Sequence, residues 1–159
     1  MKDYRIANDK KQILYVKDVF DPSRMNSIVI NENETLLDTI KRFAELSSLR
    51  GIFIVDNKGK LKGVITRADL LNIVKVKLNK DIGTIPLRIL FIREMQNIKT
   101  KDVVSSFSHK AAIRVDDSLE KALELMINND LIDIPVVDSN NNIIGDLKLS
   151  EILSKLISA

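Results

Sequence analysis

Residues 52–69, IFIVDNKGKLKGVITRAD, align without a gap to residues 134–151, IPVVDSNNNIIGDLKLSE. The pairing sets Asp56 on Asp138 and Gly63 on Gly145. Upstream, SIVINENETLLDTIKRFAE (27–45) runs parallel to AIRVDDSLEKALELMIN (112–128), whose turn is two residues shorter. One unit of about sixty residues therefore occurs twice. A unit that small cannot cover both sides of its own sheet, so the two copies are expected to pack face to face.

Each copy reads β-α-β-β-α, giving an α+β fold of tandem repeats with pseudo-two-fold symmetry. A short β-branched run comes first, Ile28–Ile30 and Ile113–Val115. Leu36, Ile40 and Phe43 then recur at helical spacing, as do Leu119, Leu123 and Met126. Glu34-Thr35 and Asp117-Ser118 are helix-start signals. An apolar strand follows (Ile52–Val55; Ile134–Val137), and a polar turn joins it to another strand as a hairpin. A last helix, Ala68–Lys77 or Ser150–Ile157, closes the unit. The chain thus divides into an N-terminal extension (1–15), a first repeat (16–77), a connector (78–99) and a second repeat (100–159). The connector holds Gly83, Pro86 and IPLRILFIREM, which predicts a short helix covering the joint core. The extension, with YRIANDKKQILYV, reads equally as a strand pair or a docking helix.

Composition narrows the function. There is no cysteine, hence no disulfide framework or thiolate metal site, and a single histidine makes a His-based metal centre a poor expectation. No run approaches the ~18 apolar residues of a membrane helix, and MKDYRIANDKK lacks the apolar core of a signal peptide. A soluble cytoplasmic protein is expected. Residues 1–80 hold 16 basic and 10 acidic side chains, residues 81–159 hold 9 and 12. That asymmetry tolerates an anionic partner near the first half, and solvated lysines explain it equally. Lys58, Lys60 and Lys62 share one face of the first hairpin, where they suit a soluble sheet edge better than a nucleic-acid grip. The sequence contains no G-x-x-x-x-G-K-[ST] loop, G-x-S-x-G elbow or Cys nucleophile, and Asp116-Asp117 reads as a helix start. Catalysis is not expected.

The junction GVITRAD (63–69) carries the chemistry. Thr66 falls at a strand end and Asp69 three residues on, in the first helical turn. Amides of such a turn attract an anion or a hydroxyl-rich group, and a carboxylate there can accept both hydroxyls of a ribose. The same Thr-x-x-Asp before Leu70, Leu71 and Ile73 is also a capping box, worth about 1 kcal/mol to its helix. The two roles are compatible.

Taken together, VKDVF (16–20), TKDVV (100–104), IPVVD (134–138) and GVITRAD, in two ordered copies over residues 16–159, resemble the CBS-domain pair, or Bateman module. The resemblance implies a regulatory module that needs no cofactor to fold. Its ligand is an adenosine-containing molecule (AMP, ADP, ATP or S-adenosylmethionine) held between the copies, and its state is read by an enzyme or transporter. With no catalytic domain fused here, that effector is expected on a separate polypeptide. Association of two pairs into a flat homodimer is also implied, with no membrane insertion.

Residue by residue, the resemblance puts Val64, Thr66, Arg67, Ala68 and Asp69 on one side of a nucleotide site. Ser106, Ala111, Leu131, Ile132 and Asp133 face the base, and Arg50 points to phosphate, with His109 and Lys110 as further phosphate candidates or plain surface. In the copy GDLKLSE (145–151), Lys148 replaces the threonine and Glu151 the aspartate, and Ile132 stands where Arg50 stands in its partner. The second cleft is therefore expected to be empty, weak or altered. Two other classes compete with a nucleotide sensor: a ligand-independent dimerisation or interaction module, and, with only modest basicity behind it, nucleic-acid binding.

Overall fold

The computed structural model describes residues 12–45, 51–107 and 111–158, with the backbone alone over 105–107. The tandem α+β repeat is present. In the first repeat, β1 (Ile28–Asn31) leads to α1 (Leu36–Glu45), β2 (Ile52–Val55), β3 (Leu61–Ile65) and α2 (Arg67–Leu78). The central β2 pairs in parallel with β1, Ile28 opposite Ile52, and antiparallel with β3. In the second, α5 (Leu119–Asn129), β4 (Asp133–Val137), β5 (Ile143–Lys148) and α6 (Leu149–Ser158) follow α3 (Leu87–Gln96) and α4 (Thr100–Phe107).

Local chemistry fixes the element ends. The Thr35 hydroxyl accepts the Asp38 amide at 3.2 Å and the Ser118 hydroxyl the Lys121 amide at 3.1 Å, so both start signals act as caps. Both hairpin turns are built on an aspartate. Asp56 accepts the amides of Lys58 and Lys60, and Asp138 those of Asn140 and Asn142. These bonds, to Lys60 first in one turn and to Asn142 first in the other, hold both carboxyls below their usual range. Lys60 and Asn142, equivalent under the repeat, bridge directly, and the Asn141 amide group donates to the Leu61 carbonyl at 3.0 Å. The two turns therefore meet on the pseudo-two-fold axis.

Alternation along β2 divides the interior. Ile52 and Ile54 join Ile30, Leu36, Ile65 and Ile73 in one cluster. Phe53 points the other way and, with Val64, enters the core of the second repeat among Ala111, Ile113, Ile134 and Leu147. The halves share an interior.

They also exchange their openers. The amides of Val16 and Lys17 donate to the carbonyls of Asp117 and Val115, and Leu119 donates to Leu14. In return, Leu36 donates to Ile98, while Thr100 and Lys101 donate to Glu34 and Glu32. Val16 is buried in the second repeat's cluster, and Val103 and Val104 in the first's. Each repeat is thus completed by the other's leading segment.

Two expectations need correction. Ile113–Val115 is not a strand: Ile113 alone bridges Val136 in parallel. The Asp117 carboxylate takes the Arg114 amide at 2.8 Å, and Val115 is paired to Lys17 instead, which diverts the chain from the sheet edge. The connector does contain a helix, α3, but its buried Leu90 and Met95 cover the first repeat's cluster rather than the joint core. Of the extension, residues 12–15 are described, with Tyr15 bridged to Ser118; a reading of 1–11 lies outside the described residues. No described helix is long and apolar enough to cross a membrane.

Candidate functional site

The turn from β3 into α2 places Thr66 at the helix N-cap, in extended backbone. The capping box is closed: the Asp69 amide donates to Thr66 Oγ1 at 3.1 Å, and the Thr66 amide donates to Asp69 Oδ2 at 2.9 Å. Asp69 is only 4% exposed. Its carboxylate thus fixes the start of a 12-residue helix whose exposed next residues, Arg67 and Ala68, turn outward. The first-turn amides are those that an α-helix leaves without intrahelical partners, and its dipole adds partial positive charge there.

Across from this helix start lies the turn from α5 into β4. Asp130 ends α5 in the left-handed conformation (φ 52°), and its amide donates back to Ile127 and Met126. The reversal sends Leu131 inward and leaves Ile132 half open. Thr66, Arg67 and Ala68 from one repeat and Asn129, Asp130, Leu131 and Ile132 from the other line a cleft of about 210 Å³. It combines a helix start and a guanidinium on one wall with Leu131 and Ile132, flanked by the polar Asn129 and Asp130, on the other. Such a surface suits a ligand with an anionic group and a flat apolar part.

The expected site residues fall into three groups. Thr66, Arg67, Ala68, Leu131 and Ile132 come together in this cleft. Val64 and Ala111 are fully buried in the core cluster behind it, and Asp69 is buried under Thr66. Asp133 is elsewhere: its side chain is 1% exposed and its Oδ2 lies 2.6 Å from the Ser27 hydroxyl, away from the cleft-lining residues. Arg50, His109, Lys110 and the side chain of Ser106 lie outside the described residues. Asn129 and Asp130 were not anticipated. An Asn-Asp pair directly after an amphipathic helix is a helix-stop signal, and it marks the position.

The pseudo-symmetric junction is built differently. Glu151 accepts the Lys148 amide at 2.9 Å, the same bond that Asp69 makes to Thr66. The Lys148 ammonium, however, turns inward to the Arg24 carbonyl at 2.9 Å and to Asp146 Oδ1 at 2.8 Å. Asp146 occupies the slot that Val64 fills in the first repeat, and it is buried. Its Oδ2 accepts the amides of Asn26 and Ser27 at 3.3 and 3.2 Å. Burial, and then the negative charge of Asp146, push the Asp133 carboxyl up to about 7 against the pull of Ser27 and Lys148. The overlooked signal was Asp146 itself, an acid in an apolar strand position.

Comparison with known proteins agrees with this architecture. Residues 16–76 and 95–158 match the CBS domain. An uncharacterized protein of Methanocaldococcus jannaschii is 25% identical over 166 residues, covering 94% of this chain and 95% of its own. A CBS domain-containing protein of Thermotoga maritima superposes with a TM-score of 0.71 at 26% identity, covering 92% of this chain and 96% of its own. CBSX2 in complex with AMP shares the fold at 19% identity and a TM-score of 0.64, covering 91% of this chain and 97% of its own. With the domain matched in both halves and the halves folded around one interior, the chain belongs to the CBS-domain family, as a CBS-domain pair.

Proposed function

We propose that this CBS-domain pair is a non-catalytic sensor of an adenosine-containing ligand (AMP, ADP, ATP or S-adenosylmethionine) and signals to a separate effector enzyme or transporter. The observation that carries this reading is the meeting of Thr66, Arg67 and Ala68 with Leu131 and Ile132 across the repeat boundary. Leu131 and Ile132 offer the base an apolar wall. Arg67 and the start of α2 face the phosphates, with Arg50 as a second guanidinium and His109 and Lys110 as further phosphate candidates. Asp69 positions Thr66, and a carboxylate with about four acceptor sites can serve a ribose hydroxyl as well. The site is smaller than the roughly 300–1,000 Å³ of enclosed ligand pockets, so the nucleotide lies along an open rim. A ligand that touches both repeats favours one arrangement of the halves, and this population shift is what an effector reads. The binding of AMP by CBSX2 supports the ligand class.

Thermal-shift titration tests the proposal. AMP, ATP or S-adenosylmethionine at 100 times its dissociation constant adds about 2.7 kcal/mol to stability. Arg67→Glu should abolish the shift with the unliganded melting temperature nearly unchanged. If no adenosine compound shifts the wild-type transition, the sensor reading is wrong.

A second reading, ligand-independent association, has its own observation. Ile127 on α5 and Leu153, Leu156 and Ile157 on α6 are exposed, Ile157 at 77%. Apolar side chains grouped in this way suit a partner surface, including a second copy of the chain. Sedimentation of the ligand-free protein separates the readings: a stable dimer with no nucleotide response favours association alone.

A further inference from the structure

The second junction carries a buried cluster of the protein's own polar groups. Ser27 Oγ lies 2.6 Å from Asp133 Oδ2 and 2.8 Å from Asp146 Oδ2. A hydroxyl has one proton, so it cannot donate to both carboxylates. One of these contacts must be made by a carboxyl proton. The Lys148 ammonium rests on Asp146 at 2.8 Å, and the Asn26 and Ser27 amides point at the same carboxylate. Asp146 is therefore the anion. The proton belongs to Asp133, which donates to Ser27 Oγ while Ser27 donates to Asp146. Asp133 Oδ1 has no hydrogen-bond partner although it is buried, a position in which a neutral carboxyl is far less costly than a charged one.

Among the described residues, the charged groups around this cluster come from four elements. Asp133 comes from β4, and Asp146 and Lys148 come from β5. From α6, Glu151 is held by the Lys148 amide. On the segment before β1, Arg24 gives its carbonyl to Lys148, and its guanidinium lies 3.5 Å from Asp21. Among the described residues, one ammonium thus faces two carboxyls.

We propose that Asp133, Ser27, Asp146 and Lys148 form a proton-holding latch that fastens residues 24–27 over the second cleft, and that loss of the proton releases this segment. Without the proton, two buried carboxylates converge on one hydroxyl, with the Lys148 ammonium bonded to one of them. The released segment runs directly into β1, so the event reaches the sheet of the first repeat. The sign follows from the direction of the shift. The carboxyl moves from 3.8 to about 7, so the stability it contributes is complete below 3.8. That contribution is lost as the pH rises towards 7 and is constant above it.

Carbon-detected NMR of the side-chain carboxyls, on the full chain without nucleotide, tests the latch independently of the sensor reading. One aspartate should titrate near 7, and the signal should vanish in Asp133→Asn, whose amide can still donate to Ser27. Protection of the Asn26 and Ser27 amides, corrected for intrinsic exchange, should fall by at least about tenfold between pH 5 and 8, the equivalent of a one-unit carboxyl shift. In Asp133→Asn it should stay constant. Titration of every aspartate in the ordinary carboxyl range overturns the shared proton. Unchanged protection across that pH range overturns the release.

Discussion

A methyl group placed on Gly145 would lie 2.6 Å from two carbons of the Phe20 ring and 3.5 Å from the Pro22 backbone. The ring is part of the first opener, and it packs where β5 has no side chain. Gly145→Ala should therefore push the opener off the second sheet at a cost of about 1–3 kcal/mol, the usual penalty for overfilling a packed interior. Urea unfolding would show it as a lower midpoint with an unchanged slope. The equivalence of Gly63 and Gly145 was plain in the sequence. The ring that makes Gly145 indispensable was not, because Phe20 lies far away in the chain and nothing in VKDVF announces what it packs against. Asp133 is a similar case. Its place at the start of a strand was legible, but its charge state is set by Ser27 and Asp146, which only the folded chain brings near.

Among the elements, α4 is held most specifically. Thr100 donates from its amide and from its hydroxyl to the Glu34 carbonyl, at 2.9 and 2.8 Å, and its hydroxyl lies 3.2 Å from that of the buried Thr39. Thr100→Val keeps the shape but removes the hydroxyl bonds to the Glu34 carbonyl and to Thr39, which retains its bond to the Thr35 carbonyl at 3.2 Å, and should cost about 0.5–1.5 kcal/mol in a denaturation experiment. Ser118→Ala removes only a local cap and should cost about 1 kcal/mol. The helices other than α4, the caps at Thr35 and Ser118 and both hairpins were readable because each depends on residues three or four apart. The short second-copy strand was misread because Asp117 captures the Arg114 amide, a competition that β-branched composition does not reveal. The crossing of the openers was invisible for a related reason. VKDVF and TKDVV mark where each repeat opens, and say nothing about which sheet the opener covers.

For the whole molecule, the two junctions are unequal by construction. One presents Arg67 and the start of α2 to a cleft; the other turns Lys148 inward onto Asp146. Calorimetry at or below neutral pH should therefore find one adenosine ligand per chain. Two equivalent strong sites would contradict this expectation. The difference between Thr66 and Lys148 was legible in the sequence, while the partners of Lys148 and Asp146 were not, since they include Arg24, Asn26 and Ser27 from the opposite copy.

The exchanged leading segments have a consequence for how the chain survives damage. A protease that nicked the backbone between α2 and α3 would yield two pieces, neither with a finished hydrophobic interior. The N-terminal piece would lack Leu90, Met95, Val103 and Val104, and the C-terminal piece would lack Val16, Phe53 and Val64. Like two clasped hooks, the fragments would stay joined after the cut, and if prepared separately they would acquire structure only on being mixed.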